Sequence, residues 1–165
     1  MLRALLNKAA ACGWIKDARA HCDVPCGIYD TGPALVAAVS VVRLMDILNE
    51  SAGDNDIALA NQRSRVIAEK EKQAELVKHE IRIIWGDYFK PAVAEKYPEI
   101  HSLVHRIMLK GSACKQDVHR EDALALVDLV NQFAEIFWNS KGVASARGIC
   151  PYPPQIEVVY PVLSK

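Results

Sequence analysis

The chain has 165 residues, 51% of them hydrophobic and 24% charged, with 20 basic residues matched by 20 acidic ones. That length suits one domain with a sizeable core, and the balance is that of an ordinary globular protein. A formal net charge of zero offers no basic surplus for nucleic acid and no acidic tail, so no nucleic-acid partner is expected.

Five cysteines is an odd number. Two of them share one short stretch, so a disulfide framework is not expected and a reducing, cytoplasmic location is. No run of eighteen apolar residues occurs, so no membrane span is expected. Residues 1–20 are basic through Arg3, Lys8, Lys16 and Arg19, with Asp17 the only acid. Residues 2–16 read as a short amphipathic helix. The apolar patch from Ala9 to Ile15 is short and interrupted, so a secretory or organellar signal is at most weakly indicated.

The next stretch is the densest in chemistry: His21-Cys22-Asp23-Val24-Pro25-Cys26-Gly27-Ile28-Tyr29-Asp30. His21 and Cys22 are adjacent, with a backbone amide nitrogen between their side chains. Pro25 and Gly27 can bend Cys26 back toward Cys22. Thiolate and imidazole in a tight planar set suit Ni(II) or Cu(II) better than Mg or Ca. The C-x3-C spacing is neither the C-x2-C of common zinc modules nor the redox C-x-x-C. On these residues alone, two buried thiols beside a turn are an equally simple reading.

Thr31-Gly32-Pro33 marks a helix start. The helix is expected to run to about Glu50, with Leu35, Val39, Val42 and Met45 on one stripe. Ala34, Ala38, Val41, Leu44 and Leu48 make other faces apolar too, which predicts burial on several sides and favours an oligomer. Ser51–Asp56 reads as a loop. A second helix is expected over roughly 57–87, charged at first and then carrying Ala74, Val77, Ile81 and Ile84 inward, with Pro91 closing the segment. Pro98 opens a third, with Ile100, Leu103, Val104 and Ile107 on one face, and Gly111–Asp117 is expected to break it. A fourth spans about 120–141 with Leu126, Val130, Phe133 and Phe137 inward, and Gly142 fits its C-terminal cap. The pattern predicts an all-α, up-down four-helix bundle without convincing strands. The tail, 143–165, is proline-rich and non-helical, with Ile156–Tyr160 expected to lie extended against a neighbour.

Other metal motifs fail on spacing. Glu75 and His79 are four apart, not the three of a di-iron bundle, and His79-Glu80 has no second histidine for a zinc protease. His101, His105 and His119 read as helix-face histidines, Cys114 and Cys150 as ordinary thiols, and Trp85 and Trp138 as packing aromatics.

The string His21–Asp30 resembles the nickel-binding hook of nickel superoxide dismutases. The resemblance recurs in order at Ala74-Glu75-Leu76-Val77-Lys78-His79, at Trp85-Gly86-Asp87-Tyr88-Phe89-Lys90-Pro91 and at Phe133-Ala134-Glu135-Ile136-Phe137-Trp138. It implies a leader, 1–20, removed by a maturation protease between Ala20 and His21. A nickel hook, 21–32, a helical bundle, 33–142, and a tail, 143–165, would follow. It implies one nickel ion per subunit, held by the amine and imidazole of His21, the amide and thiolate of Cys22 and the thiolate of Cys26. Tyr29 and Tyr88 would stand over the metal, limit access and relay protons. Asp23, Pro25 and Asp87 would support the hook. The implied reaction is disproportionation of superoxide to O2 and hydrogen peroxide by Ni(II)/Ni(III) cycling, in a homohexamer. Two departures stand out: a glutamate and an arginine that orient the hook histidine in some family members correspond here to Ala37 and Gln73. Lys90 is a candidate local cation for steering. The alternatives are a nickel-binding or storage protein with an unprocessed, inactive hook, and a structural helical oligomer whose hook is vestigial.

Overall fold

An Asx turn sets the entry to the first helix. The Gly32 N–H donates to Asp30 Oδ1 at 2.7 Å, and a Cβ at Gly32 would lie 3.0 Å from that oxygen. Glycine therefore lets the turn close. Pro33 follows in the first turn, where its missing N–H has no helical partner to lose. The computed structural model describes residues 27–51 and 56–163. The helix expected over 2–16 lies outside them, as does most of the 51–56 loop.

The molecule is mostly helical. Helix α1 spans Gly32–Glu50. Helix α2 spans Ile57–Ile83, begun by Asp56, whose carboxylate accepts from the Leu59 N–H at 2.7 Å. The expected single helix over 57–87 changes character at Ile84: residues Ile84–Tyr88 form a wider π-turn, closed by the Phe89 N–H on the Ile84 carbonyl at 3.3 Å. A one-turn helix α3, Pro91–Ala94, follows. Helix α4 spans Ile100–Gln116 and α5 spans Arg120–Ser140. Beyond α5, Gly142 takes φ +70°, and the Val143 N–H reaches back to the Trp138 carbonyl at 2.9 Å.

The expected break at Gly111 is corrected. Helix α4 runs through it, and Gly111 is buried facing α2. A Cβ there would lie 3.0 Å from Lys78 Cγ and 3.6 Å from the Ala74 carbonyl. The glycine serves close approach of two helices, not chain reversal.

Packing runs in a ring: α1 against α2, α2 against α4, α4 against α5, and α5 back against α1. Every residue of the four predicted stripes is buried, from Leu35, Val39, Val42 and Met45 to Leu126, Val130, Phe133 and Phe137. Together they form one core. By length and composition alone α1 is long and apolar enough to cross a membrane. Here eight of its residues are buried inside the chain.

Contrary to the expectation of no strands, the tail folds into an antiparallel hairpin. Strand β1, Ser145–Ile149, pairs with β2, Glu157–Pro161, in the register Arg147↔Val159. Residues 156–160 are extended, as expected, but against this chain rather than a neighbour: β2 packs on α5 and α1, burying Val158 and Val159. Asn131, itself buried on α5, clasps the strand. Its amide nitrogen donates to the Glu157 carbonyl at 3.0 Å and its amide oxygen accepts from the Val159 N–H at 2.9 Å. The hairpin thus covers part of α1 that the helical pattern left without a partner.

One buried charge ties α2 to α4. Lys70 is 2% exposed. Its ammonium donates to the carbonyls of Cys114 at 2.6 Å, Lys115 at 3.0 Å and Asp117 at 2.7 Å. All three of its protons are used, and the cation sits at the negative end of the α4 dipole.

Candidate metal centre

The predicted ligands His21, Cys22 and Cys26 lie outside the described residues. So do Asp23, Val24, Pro25 and the predicted cleavage point between Ala20 and His21. The structure gives the platform that follows them. Gly27 takes φ +70°, a conformation that favours glycine, and a Cβ there would meet nothing within 4 Å. Ile28 is 78% exposed, whereas Tyr29 packs against the core and Thr31 is buried. The Thr31 hydroxyl has no hydrogen-bond partner among the described residues.

Tyr29 comes to rest against Tyr88. Their ring centroids lie 5.9 Å apart with planes tilted by 54°. The π-turn makes this contact, because its extra residue rotates Tyr88 away from the register that α2 alone would give. The Tyr88 ring is then held on several sides. Phe89 and Phe137 each meet it edge-on at 5.1 Å. Lys141 Nζ stands 4.8 Å from its centroid. Its hydroxyl lies 2.8 Å from Ser140 Oγ. The start of α1, the end of α2 and the end of α5 therefore meet at the two phenols.

The other predicted positions are placed as follows. Asp87 is exposed, with no hydrogen-bond or ion-pair partner among the described residues. Lys90 is also exposed, its Nζ 3.4 Å from the Gly86 carbonyl. The cation at the phenols is instead Lys141. Ala37 is fully buried. Gln73 donates to Glu69 Oε1 at 2.7 Å on its own helix, and this hydrogen bond holds the Glu69 carboxyl below its ordinary value. Gln73 also lines a groove of about 420 Å³ with Val36, Arg43 and Tyr152. Trp85 Nε1 donates to His101 Nδ1 at 2.9 Å, so His101 is a surface partner of the π-turn. Cys114 and Cys150 are buried reduced thiols.

Ser140 and Lys141 were missed in the sequence. They follow the Phe133–Trp138 motif directly, but nothing local marks them, since their partner Tyr88 arrives from another helix. Among the described residues no three His, Cys, Asp or Glu side chains are grouped to hold a metal. Residues 21–26, which lie outside the described residues, carry in sequence two thiols and an imidazole, donor types that suit nickel.

Fold and site together define a mostly helical protein whose candidate chemistry gathers at the N-terminal end of α1. Residues 16–141 match the sequence profile of nickel-containing superoxide dismutases, and the match ends before the hairpin. The protein is 40% identical to the nickel superoxide dismutase of Streptomyces coelicolor over 122 residues, covering 74% of this chain and 88% of that one. It is 39% identical to that of Streptomyces seoulensis over the same length and shares of the two chains. A native nickel superoxide dismutase solved at 1.30 Å superposes with a TM-score of 0.66 at 37% identity, covering 74% of this chain and 99% of that one. A nickel-free form of such an enzyme superposes at 0.63 and 34% identity, covering 70% and 99%. The chain belongs to the nickel-containing superoxide dismutase family.

Proposed function

We propose that this protein disproportionates superoxide to O2 and hydrogen peroxide at one nickel ion per subunit, held by His21, Cys22 and Cys26. The observation that carries this reading is the facing pair Tyr29 and Tyr88, 5.9 Å apart, directly after the donor stretch in a chain of this family. When bound, nickel supplies the one-electron chemistry, Ni(II)/Ni(III), that oxidises one superoxide and reduces the next.

The chain's own residues do the rest. The Cys22 and Cys26 thiolates are soft, anionic donors, and the His21 imidazole and amine add nitrogen donors. A free amine at His21 requires loss of residues 1–20, so maturation by a protease between Ala20 and His21 belongs to the proposal. Hydrogen peroxide must gain protons that superoxide lacks, and the two phenols, with water, stand where the proton-bearing species are oriented and the protons delivered. The paired rings narrow the approach, which suits a diatomic anion and excludes larger reductants. Lys141 adds local positive potential where the formal net charge of the chain is zero. Asp23, Pro25 and Asp87 support the hook.

The arrangement we assign is a nickel hook, 21–32, on a four-helix bundle, 33–142, with the hairpin-bearing tail, 143–165, outside the catalytic part. The assembly we assign is a cytoplasmic homohexamer with no nucleic-acid or membrane partner. Its support is apolar surface near the hook: Ile28 is 78% exposed and Val36 55%. The hairpin already covers part of α1, so the surface left for neighbours is smaller than the helical pattern alone suggested.

One purified sample tests the reading through nickel quantitation, N-terminal sequencing and superoxide consumption. Stoichiometric nickel, a chain beginning at His21 and turnover together support it. Nickel bound by a chain still beginning at Met1, without turnover, would instead mark a storage protein.

A further inference from the structure

We propose that Ser140 is a positioning residue that fixes the direction of the Tyr88 hydroxyl proton, so that Tyr88 presents an acceptor, not a proton, to the site. This rests on the reading of Tyr88 as part of the mouth.

Ser140 ends α5, and its Oγ lies 2.6 Å from the Phe137 carbonyl. A carbonyl oxygen only accepts, so the single serine proton is committed there. The Tyr88 hydroxyl lies 2.8 Å from the same Oγ. With its proton used, Oγ can only accept, and the phenol must donate. The chain therefore reads Tyr88 Oη–H to Ser140 Oγ, and Ser140 Oγ–H to Phe137 O.

The ring cannot easily swing away from this bond. Phe89 and Phe137 hold its edges at 5.1 Å, and Lys141 lies 4.8 Å from its centroid. A phenol whose proton points at α5 turns its remaining oxygen lone pairs elsewhere. There it accepts from a proton-bearing species: water, the hydroperoxyl form of the substrate, or the hydrogen peroxide product. This separates two phenols that the sequence alone treats alike. Tyr88 orients a protonated partner, and delivery of the proton falls to Tyr29 or to water.

The test is a cycle of Ser140→Ala, Ser140→Thr and Tyr88→Phe on the mature, nickel-loaded protein, with nickel content and the thiolate-to-nickel absorption measured on each. Ser140→Ala should lower kcat/KM roughly three- to tenfold with nickel content unchanged, as for the loss of one neutral hydrogen bond. Ser140→Thr should restore most of it. Adding Ser140→Ala to Tyr88→Phe should cost nothing more, because the bond is already gone. In nickel-free protein, the ¹³C resonance of the Tyr88 Cζ should shift in Ser140→Ala and return in Ser140→Thr, independently of turnover. An unchanged Cζ resonance in Ser140→Ala overturns the proposal. So does an equal loss of rate from Ser140→Ala in the Tyr88→Phe background, which would place Ser140's effect in the helix end. Full activity of Tyr88→Phe with the Cζ shift present would overturn the role of Tyr88 in the mouth and leave the hydrogen-bond direction standing.

Discussion

The ammonium of Lys70, on α2, lies 2.6 Å from the carbonyl of Cys114, near the end of α4. Two further carbonyls complete its coordination. Burial works against the charge and pushes the Lys70 pKa down, with the charges of Glu71, Cys114 and Asp117 opposing. In return, one ammonium serves three carbonyls at the C-terminal end of α4, those of Cys114, Lys115 and Asp117. Lys70→Met keeps the stem and removes the donors. We expect it to lower stability by about 2–4 kcal/mol, the cost of stranding buried acceptors. Urea unfolding at neutral pH measures this. A loss below about 0.5 kcal/mol would mean that water reaches these carbonyls and that the cap is dispensable.

Cys114 gives a pH dependence with a definite sign. Desolvation, and secondarily the charge of Asp122, pushes its thiol up from 9.0 to about 11. Between those values the folded chain holds a proton that the unfolded chain has released. Stability therefore falls as pH rises from about 9 to 11 and is fully present below 9, with a limiting slope of about 1.4 kcal/mol per pH unit. Tyr152, also raised chiefly by burial, bends the curve the same way. The Cys114 part is read as the difference between the parent protein and Cys114→Ala, whose alkaline decline should be shallower. Identical slopes would refute the burial argument.

Asn131 tests what the hairpin contributes. Both ends of its amide are spent on β2, at Glu157 and Val159. Asn131→Leu fills similar space but leaves the Glu157 carbonyl and the Val159 N–H without that partner. The expected loss is about 2–4 kcal/mol. The same variant should raise hydrogen exchange at Val158 and Val159 ahead of the helical core. Uniform exchange across hairpin and helices would show instead that the two open as one unit.

The helices were legible because their apolar residues recur at helical spacing, and each predicted stripe is buried. Three features were not. The π-turn over Ile84–Tyr88 has no period of its own, and only the tertiary fit of Tyr88 against Tyr29 and Phe137 reveals it. Gly111 looked like a breaker because glycine is ambiguous between turning a chain and admitting a neighbour, and only Lys78 at 3.0 Å decides. The hairpin was masked by prolines, which suppress strand signals, although Glu157–Pro161 is rich in β-branched residues. Tyr29 and Tyr88 were singled out through the resemblance of their motifs, and the structure brings their rings to 5.9 Å. Ser140 and Lys141 were not, since their roles depend on a contact between the end of α5 and the end of α2.

The thiolate assignment makes a sharp demand. Cys22→Ser or Cys26→Ser replaces a soft anionic donor with a hydroxyl that stays protonated at neutral pH. Turnover and the thiolate-to-nickel absorption should both vanish. The helices should remain, because among the described residues α1, α2, α4, α5 and the hairpin already form one continuous core. Circular dichroism and metal analysis on the same samples separate lost chemistry from lost fold. Near-normal turnover in either serine variant would exclude that thiol as a ligand.

Processing is the remaining demand. With residues 1–20 attached, the nitrogen of His21 is an amide carbonyl-bonded to Ala20, a far weaker donor than an amine unless ionised. The planar set would then lack one of its members. The mature protein should therefore begin at His21, and its intact mass should be lower by the first twenty residues. A chain expressed to begin at His21 should load nickel and turn over, whereas one with Ala20→Pro, which hinders proteolysis at that bond, should accumulate at full length with little activity. Release of activity on trimming that variant in vitro to His21 would tie the defect to the missing amine. Full activity in nickel-loaded protein still starting at Met1 would show that the amine is not required.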